Sequence, residues 1–388
     1  MLFKKSEFIE RMNNTKARMQ DLEIEVLLIT NPANINYLSG YDGYSFYAIQ
    51  GLLVQLNREE PIWIGRGIDA NGARLTTWMQ EENIKAYNDD YVQSSTKHPM
   101  NFFTDVLVEL GCNKKRIGIE MNQEFFSHRC YIELERDLPD AVFTDASYLV
   151  NKIRMVKSEK EIEYMKVAGK ITTKAMQTAI NQIEVGVREA DVAANVYHHL
   201  ISGVDGLAGD YPAIIPLMPS GERTSTPHLS WSDKKYKMDE VVLLELSGCR
   251  NRYHAPLART VFIGSPSKRY KELSEIVTEG LHVILDFIRP GVLCEEVELK
   301  WRKFIEKTGL VKDSRIGYPI GLGYPPDWGE QTLSLRQGDR TVLVPNMTIH
   351  VLPAIWLGEY GFEISESIRV TDDGCETFSD VPRKLFLK

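Results

Sequence analysis

The stretch VVLLELSGCRNRYHAPLARTVFIG, running from Val241 to Gly264, decides how the rest of the chain is read. Two apolar runs, VVLLEL and TVFIG, read as strands in a segment punctuated by Gly and Pro. Alternation along the first run places Leu243, Glu245 and Ser247 on one face. A carboxylate in so apolar a strand needs a partner. Glu245 is therefore a candidate for chemistry, and ion pairing with Arg252 or Arg259 is its structural alternative.

Outward from this stretch, TIHVLPAIW (348–356) and FEISESIRVT (362–371) read as further strands, while Val187 to Ile201 and Tyr270 to Ile288 read as helices. Upstream, Ser158 followed by Glu161 forms a capping box, opening a helix with Ile162, Met165, Ala168, Ala175, Met176 and Ala179 on one face. Helices on a largely antiparallel sheet make this part α+β. Before it, VLLIT, GLLVQL, PIWIG and RIGIE alternate with helical patterns over Phe8 to Leu22 and Asn101 to Leu110, which predicts an α/β domain. The expected division is 1–153 and 154–388.

Composition narrows the function classes. The 388 residues suit more than one domain, and the formal charge of −8 argues against binding nucleic acid. Cys112, Cys130, Cys249, Cys294 and Cys375 form an odd set without a CxxC pair, so neither a disulfide framework nor a zinc ribbon is indicated and a reducing cytoplasm is expected. The N-terminus lacks the apolar core of a secretory signal, and no apolar run is long enough to span a bilayer.

Six segments, in order, resemble the creatinase and methionine aminopeptidase superfamily, whose fold is called pita-bread. They are RMVKSEKEIEYMKVAG (154–169), TPHLSW (226–231), the stretch from Val241, GYPIGLGYPPDWGE (317–330), VPNMTIHVLPAIW (344–356) and FEISESIRVTDDGCE (362–376). NPANINYLSGYDGYSFY (31–47) is similar to the creatinase and prolidase N-terminal domain. The resemblance implies an α/β N-terminal domain followed by an α+β pita-bread catalytic domain. Most metalloenzymes of this superfamily hold two divalent ions with two Asp, one His and two Glu. Carried over without gaps, those positions fall at Glu245, Pro256, Tyr318, Leu352 and Ser365, with Glu366 beside the last. Pro256 and Leu352 offer no side-chain donor, so no metal and no other cofactor is expected.

The remaining pattern resembles the metal-free branch to which creatinase belongs, and within it the ectoine hydrolase family. Ala48 and Ala258 depart from creatinase's own arginine and carboxylate, which disfavours creatine. The resemblance implies ring opening of ectoine, and of hydroxyectoine, to an N-acetyl-2,4-diaminobutyrate. It implies His228 as acid/base, and Glu245 as nucleophile or as charge partner of the amidinium. His350 would point to the old metal cavity as a second proton donor, or serve as a core histidine. Glu363 and Ser365 share a face whereas Glu366 points away unless a bulge intervenes, so one of the two glutamates is expected at the ligand. Tyr44, Phe46, Tyr318 and Trp328 are candidates to stack on the amidinium. Phe46 matches the phenylalanine that creatinase lends to a neighbouring subunit, implying a homodimer with a shared site. Arg259 is a candidate carboxylate anchor or a structural salt bridge, with Arg66 as an alternative anchor. A prolidase-like metallopeptidase and a non-catalytic binding module are the rival readings.

Overall fold

A computed structural model describes residues 2–388. The chain forms two compact units, Met1–Arg154 and Met155–Lys388. No helix among the described residues is long and apolar enough to cross a membrane.

The first unit is built on a six-stranded mixed sheet of β1 (Val26–Ile29), β2 (Gly51–Gln55), β3 (Ile62–Arg66), β4 (Ile84–Tyr87), β5 (Arg116–Ile119) and β6 (Val142–Asp145), ordered β4-β3-β2-β1-β5-β6. β1 is buried along its whole length, as a central strand covered on both faces should be. β4 and β6 escape the sequence reading because they are edge strands: IKAY and VFTD bury too little to show a core pattern. The aromatic loop between β1 and β2 is tied down by hydroxyl and amide groups. Tyr41 Oη and Ser45 Oγ lie 2.6 Å apart, and Ser45 donates to Gln50 at 2.8 Å.

The second unit opens with the helix Glu159–Gln182. Ser158 Oγ accepts the Glu161 N–H at 3.3 Å, and the Ser158 N–H donates to Glu161 Oε2 at 2.8 Å. Two orphan donors of the helix start are thereby satisfied. The other oxygen of Glu161 accepts from Tyr253 Oη at 2.7 Å, so the cap also fastens the helix to the sheet. At Gly248 any Cβ would meet Ala168 O at 2.4 Å, so helix and strand approach closely only because a glycine stands there.

The eight-stranded sheet holds β7 (Glu240–Arg250), β8 (Tyr253–Ile263), β9 (Gly317–Tyr324), β10 (Asp327–Gly329), β11 (Thr348–Val351), β14 (Glu366–Val370), β15 (Cys375–Thr377) and β16 (Phe386–Leu387). A separate two-stranded hairpin pairs β12 (Ile355–Trp356) with β13 (Gly361–Phe362). Asn251 and Arg252, at φ +51° and +69°, close the β7–β8 hairpin as a two-residue turn with both residues left-handed. The pairing is antiparallel throughout except for β16 on β8.

Two apolar clusters divide the faces of β7. Val242, Leu244 and Leu246 pack with the helices Glu159–Gln182 and Glu189–Ser202. Val241 and Leu243 pack with Leu273, Val277 and Leu281 of the helix Lys268–Phe287. Glu245 follows on that second face, where the apolar cluster gives way to polar groups. The two C-terminal runs each break where a single strand was expected. Leu352 to Ala354 interrupt the first, where Pro353 has no N–H to donate, and Glu363 to Ser365 interrupt the second.

Candidate active site

Glu245 is held by its backbone on both sides. It faces Ala258 across the β7–β8 ladder, and on the other side exchanges hydrogen bonds with Leu217, N to O at 2.9 Å and O from N at 2.8 Å. The residue is 5% exposed, and its carboxyl group is hydrogen-bonded to that of Glu363, a residue 1% exposed. Glu363 is fixed from β8: its N–H donates to Thr260 Oγ1 at 3.0 Å, and that hydroxyl donates to Glu363 O at 2.7 Å. Burial raises the pKa of both carboxyls, and the negative charge of Glu245 raises that of Glu363 further. Two carboxyls in contact cannot both ionise cheaply, so the pair keeps one proton, with Glu363 as its holder.

Beside this pair runs a hydrogen-bonded chain from β10 to β8. Trp328 Nε1 donates to Tyr318 Oη at 3.0 Å, Tyr318 Oη lies 2.8 Å from His350 Nδ1, His350 Nε2 lies 2.6 Å from Ser365 Oγ, and Ser365 Oγ accepts the Ala258 N–H at 2.7 Å. His350 is fully buried, and burial together with the Arg315 charge lowers its pKa to about 3. It is a neutral imidazole. Its 3.9 Å approach to Glu245 is thus a contact between a carboxyl and an uncharged ring rather than an ion pair. Burial and the nearby Glu245 charge likewise keep the Tyr318 phenol protonated.

The side chain that β11 delivers against Tyr318 and Ser365 is His350, not Leu352, which lies just beyond the strand's end. Leu352, the position carried over for the first metal-ligand glutamate, brings no donor atom, and His350 two residues before it is the polar group on that strand. The set carried over to the former metal positions remains Glu245, Pro256, Tyr318, Leu352 and Ser365, with His350 beside it. That set holds one carboxylate; both of its hydroxyls are engaged by the neighbouring imidazole of His350, and Pro256 O accepts from Ser367 Oγ. No group of three His, Cys, Asp or Glu among the described residues is arranged to hold a metal ion. These residues do not fit a dinuclear centre.

Arg259 is corrected as a carboxylate anchor. All five of its N–H donors are taken: Pro382 O at 3.0 Å, Ala258 O at 2.9 Å, Ser365 O at 2.6 Å, Glu366 Oε1 at 2.6 Å and Val381 O at 2.7 Å. Glu366 is corrected with it, since it is buried against Arg259 and Arg383 rather than facing a ligand. Arg66 is bound to the exposed Asp89, in the first unit. Among the described residues Glu245 pairs with neither Arg259 nor another cation within ion-pair distance, His350 being uncharged.

His228 lies exposed in the loop after the short turn Gly221–Ser225, and no hydrogen bond or ion pair among the described residues joins it to Glu245, Glu363 or His350. The loop itself is anchored by the buried Glu189, which binds Ser220, Arg223 and Ser232. Tyr44 and Phe46 belong to the first unit. Their rings lie 4.8 Å apart, Tyr44 is 62% exposed, and Phe46 meets Phe125 edge-on. Two functional candidates carried no sequence signal. His254 is buried and neutral, its pKa lowered to about 3 by burial and Arg252, and its Nε2 accepts the Ala213 N–H at 2.9 Å. Lys312 sits in the KDSR loop, where nothing local marks it.

The profile of the Metallopeptidase family M24 matches residues 163–372, and that of the Creatinase/Prolidase N-terminal domain matches residues 11–156. An ectoine hydrolase of Halomonas elongata is 40% identical over 100% of this chain and 98% of its own. The uncharacterized hydrolase/peptidase y4tM of Sinorhizobium fredii is 43% identical with the same coverage. Among solved structures, a dipeptidase from Pyrococcus horikoshii superimposes with a TM-score of 0.82 at 21% identity, over 97% of this chain and 100% of that one.

Proposed function

The chain belongs to metallopeptidase family M24 and is a hydrolase with a creatinase/prolidase N-terminal domain, and on that footing we propose that it opens the cyclic amidine ring of ectoine without a metal. The observation that carries this reading is the buried Glu245–Glu363 carboxyl pair, in which Glu245 is the residue at the first carried-over metal-ligand position. The full-length similarity to an ectoine hydrolase supplies the substrate. Hydroxyectoine follows as a second substrate, because shape alone rejects one added hydroxyl only modestly.

Ionised Glu245 balances the amidinium and attacks its electron-poor carbon, forming a C–O bond. One ring C–N bond breaks, and the departing nitrogen takes the proton held by Glu363. Water then attacks the glutamyl adduct, its proton returns to the carboxyl pair, and an N-acetyl-2,4-diaminobutyrate leaves with Glu245 regenerated. His228, on its exposed loop, takes the proton from that water and passes it to the carboxyl pair. Neutral His350, between Tyr318 and Ser365, fixes the floor of the site. A homodimer in which Phe46 of one chain completes the partner's site belongs to the same proposal.

Proton NMR of ectoine with chelator-treated, metal-assayed protein tests this reading. The cyclic amidine methyl signal is expected to decline as an acetamide methyl grows, at an undiminished rate. Turnover that returns only with added divalent ion would overturn the metal-free proposal. The rate should also be bell-shaped in pH. On the acid side Glu245 takes up a proton and stops attacking; on the basic side the pair loses its last proton and with it the acid. Because both pKa values are raised, the bell should centre well above the usual carboxyl range. In Glu363→Gln the basic limb should vanish; an unaltered limb would assign the acid elsewhere.

A further inference from the structure

Ectoine is a zwitterion, so the site that holds its amidinium at a carboxyl pair also needs a cation for its carboxylate. Most cations of the second unit are committed. Arg259 has no donor left, Arg383 binds Glu366, Lys157 is buried against Glu330, and Arg252 lies over the Tyr211 ring with Nη1 on Tyr211 O. Arg315 is exposed, lying over the Tyr318 ring and donating to Ser334.

Lys312 differs. Its ammonium donates to Ala354 O at 2.8 Å and lies 4.9 Å from the Trp356 ring, which places it over the β12–β13 hairpin whose foot is Glu363. No carboxylate among the described residues lies within ion-pair distance of it, and Glu363 is the acidic group that would raise its pKa when ionised. Its three N–H groups make one hydrogen bond among the described residues, so two remain for a ligand. Burial lowers its pKa to about 8, which leaves the ammonium charged at neutral pH. A withdrawn cation with no anion is costly, and a bound carboxylate would discharge that cost.

We propose that Lys312 anchors the substrate carboxylate beside the Glu245–Glu363 pair, an assignment that rests on the amidine-hydrolase reading above. Amidinium and carboxylate of the substrate would then meet charges of opposite sign at the two ends of one site. Lys312 is a binding and specificity residue, not a proton carrier.

The test compares ectoine with 2-methyl-1,4,5,6-tetrahydropyrimidine, the same ring without its carboxylate. The wild-type protein is expected to prefer ectoine by about a hundredfold or more in kcat/KM, chiefly through KM. Lys312→Met should erase that preference, and Lys312→Arg, which keeps the charge, should retain at least about a tenth of it. If Lys312→Met does not fold, the Arg variant and the wild-type preference still decide. Ectoine turned over with its preference intact in Lys312→Met, or a wild type that treats the two rings alike, overturns the anchor alone. A wild type that opens neither ring overturns the amidine-hydrolase reading and the anchor with it.

Discussion

Glu245→Gln is expected to lower ectoine turnover by about a thousandfold or more, with ligand affinity within about tenfold of wild type. The amide is nearly isosteric and still hydrogen-bonds to Glu363, so the backbone ladder to Ala258 and Leu217 is undisturbed. What it loses is the negative charge and the nucleophilic oxygen. Isothermal titration separates binding from turnover, and acid-quenched wild-type protein should carry the substrate fragment on the peptide containing Glu245. Near-normal turnover in the variant removes Glu245 from the chemistry. A loss confined to affinity, with no adduct trapped in wild type, makes it the charge partner and leaves water as the attacking group.

Arg259→Met is expected to destabilise the second unit by about 3–5 kcal/mol, because it strands the buried Glu366 with only Arg383 and uncaps four backbone carbonyls. For a unit of this size that is a fall in Tm of roughly 10 °C or more. Adding Glu366→Leu should recover much of the loss, since an apolar pair of similar volume avoids the unpaired charge. KM for ectoine, measured well below the transition, should stay within about twofold of wild type. A large rise in KM without a fall in Tm would return Arg259 to the substrate.

The contrast between Glu363 and Glu366 shows how much of the site could be read in advance. Period-two alternation put Glu363 and Ser365 on one face and Glu366 on the other, and that division holds across the break between β13 and β14. The same alternation put His350 and Leu352 on one face, and it is His350 that meets Tyr318 and Ser365, because the strand ends before Leu352. Arg259 was legible as a motif but not as a role. Only the convergence of Pro382, Val381, Ser365 and Glu366 from distant chain positions consumes its donors. Lys312 was invisible, since its neighbours in sequence are not its neighbours in space.

By itself the sequence determined the class of each domain, the capped helix that opens the second, the apolar strands of the sheet, and the lack of ligand-bearing side chains at Pro256. These follow from periodicity, capping chemistry and residue type, all of which are local. Tertiary structure alone decided that Glu245 shares a proton with Glu363, that His350 is neutral between two hydroxyls, and that Arg259 is spent while Lys312 lacks an anion. Those are statements about desolvation and about which charges lie within a few ångströms of one another. Both depend on residues brought together from separate strands and loops, which no local pattern encodes.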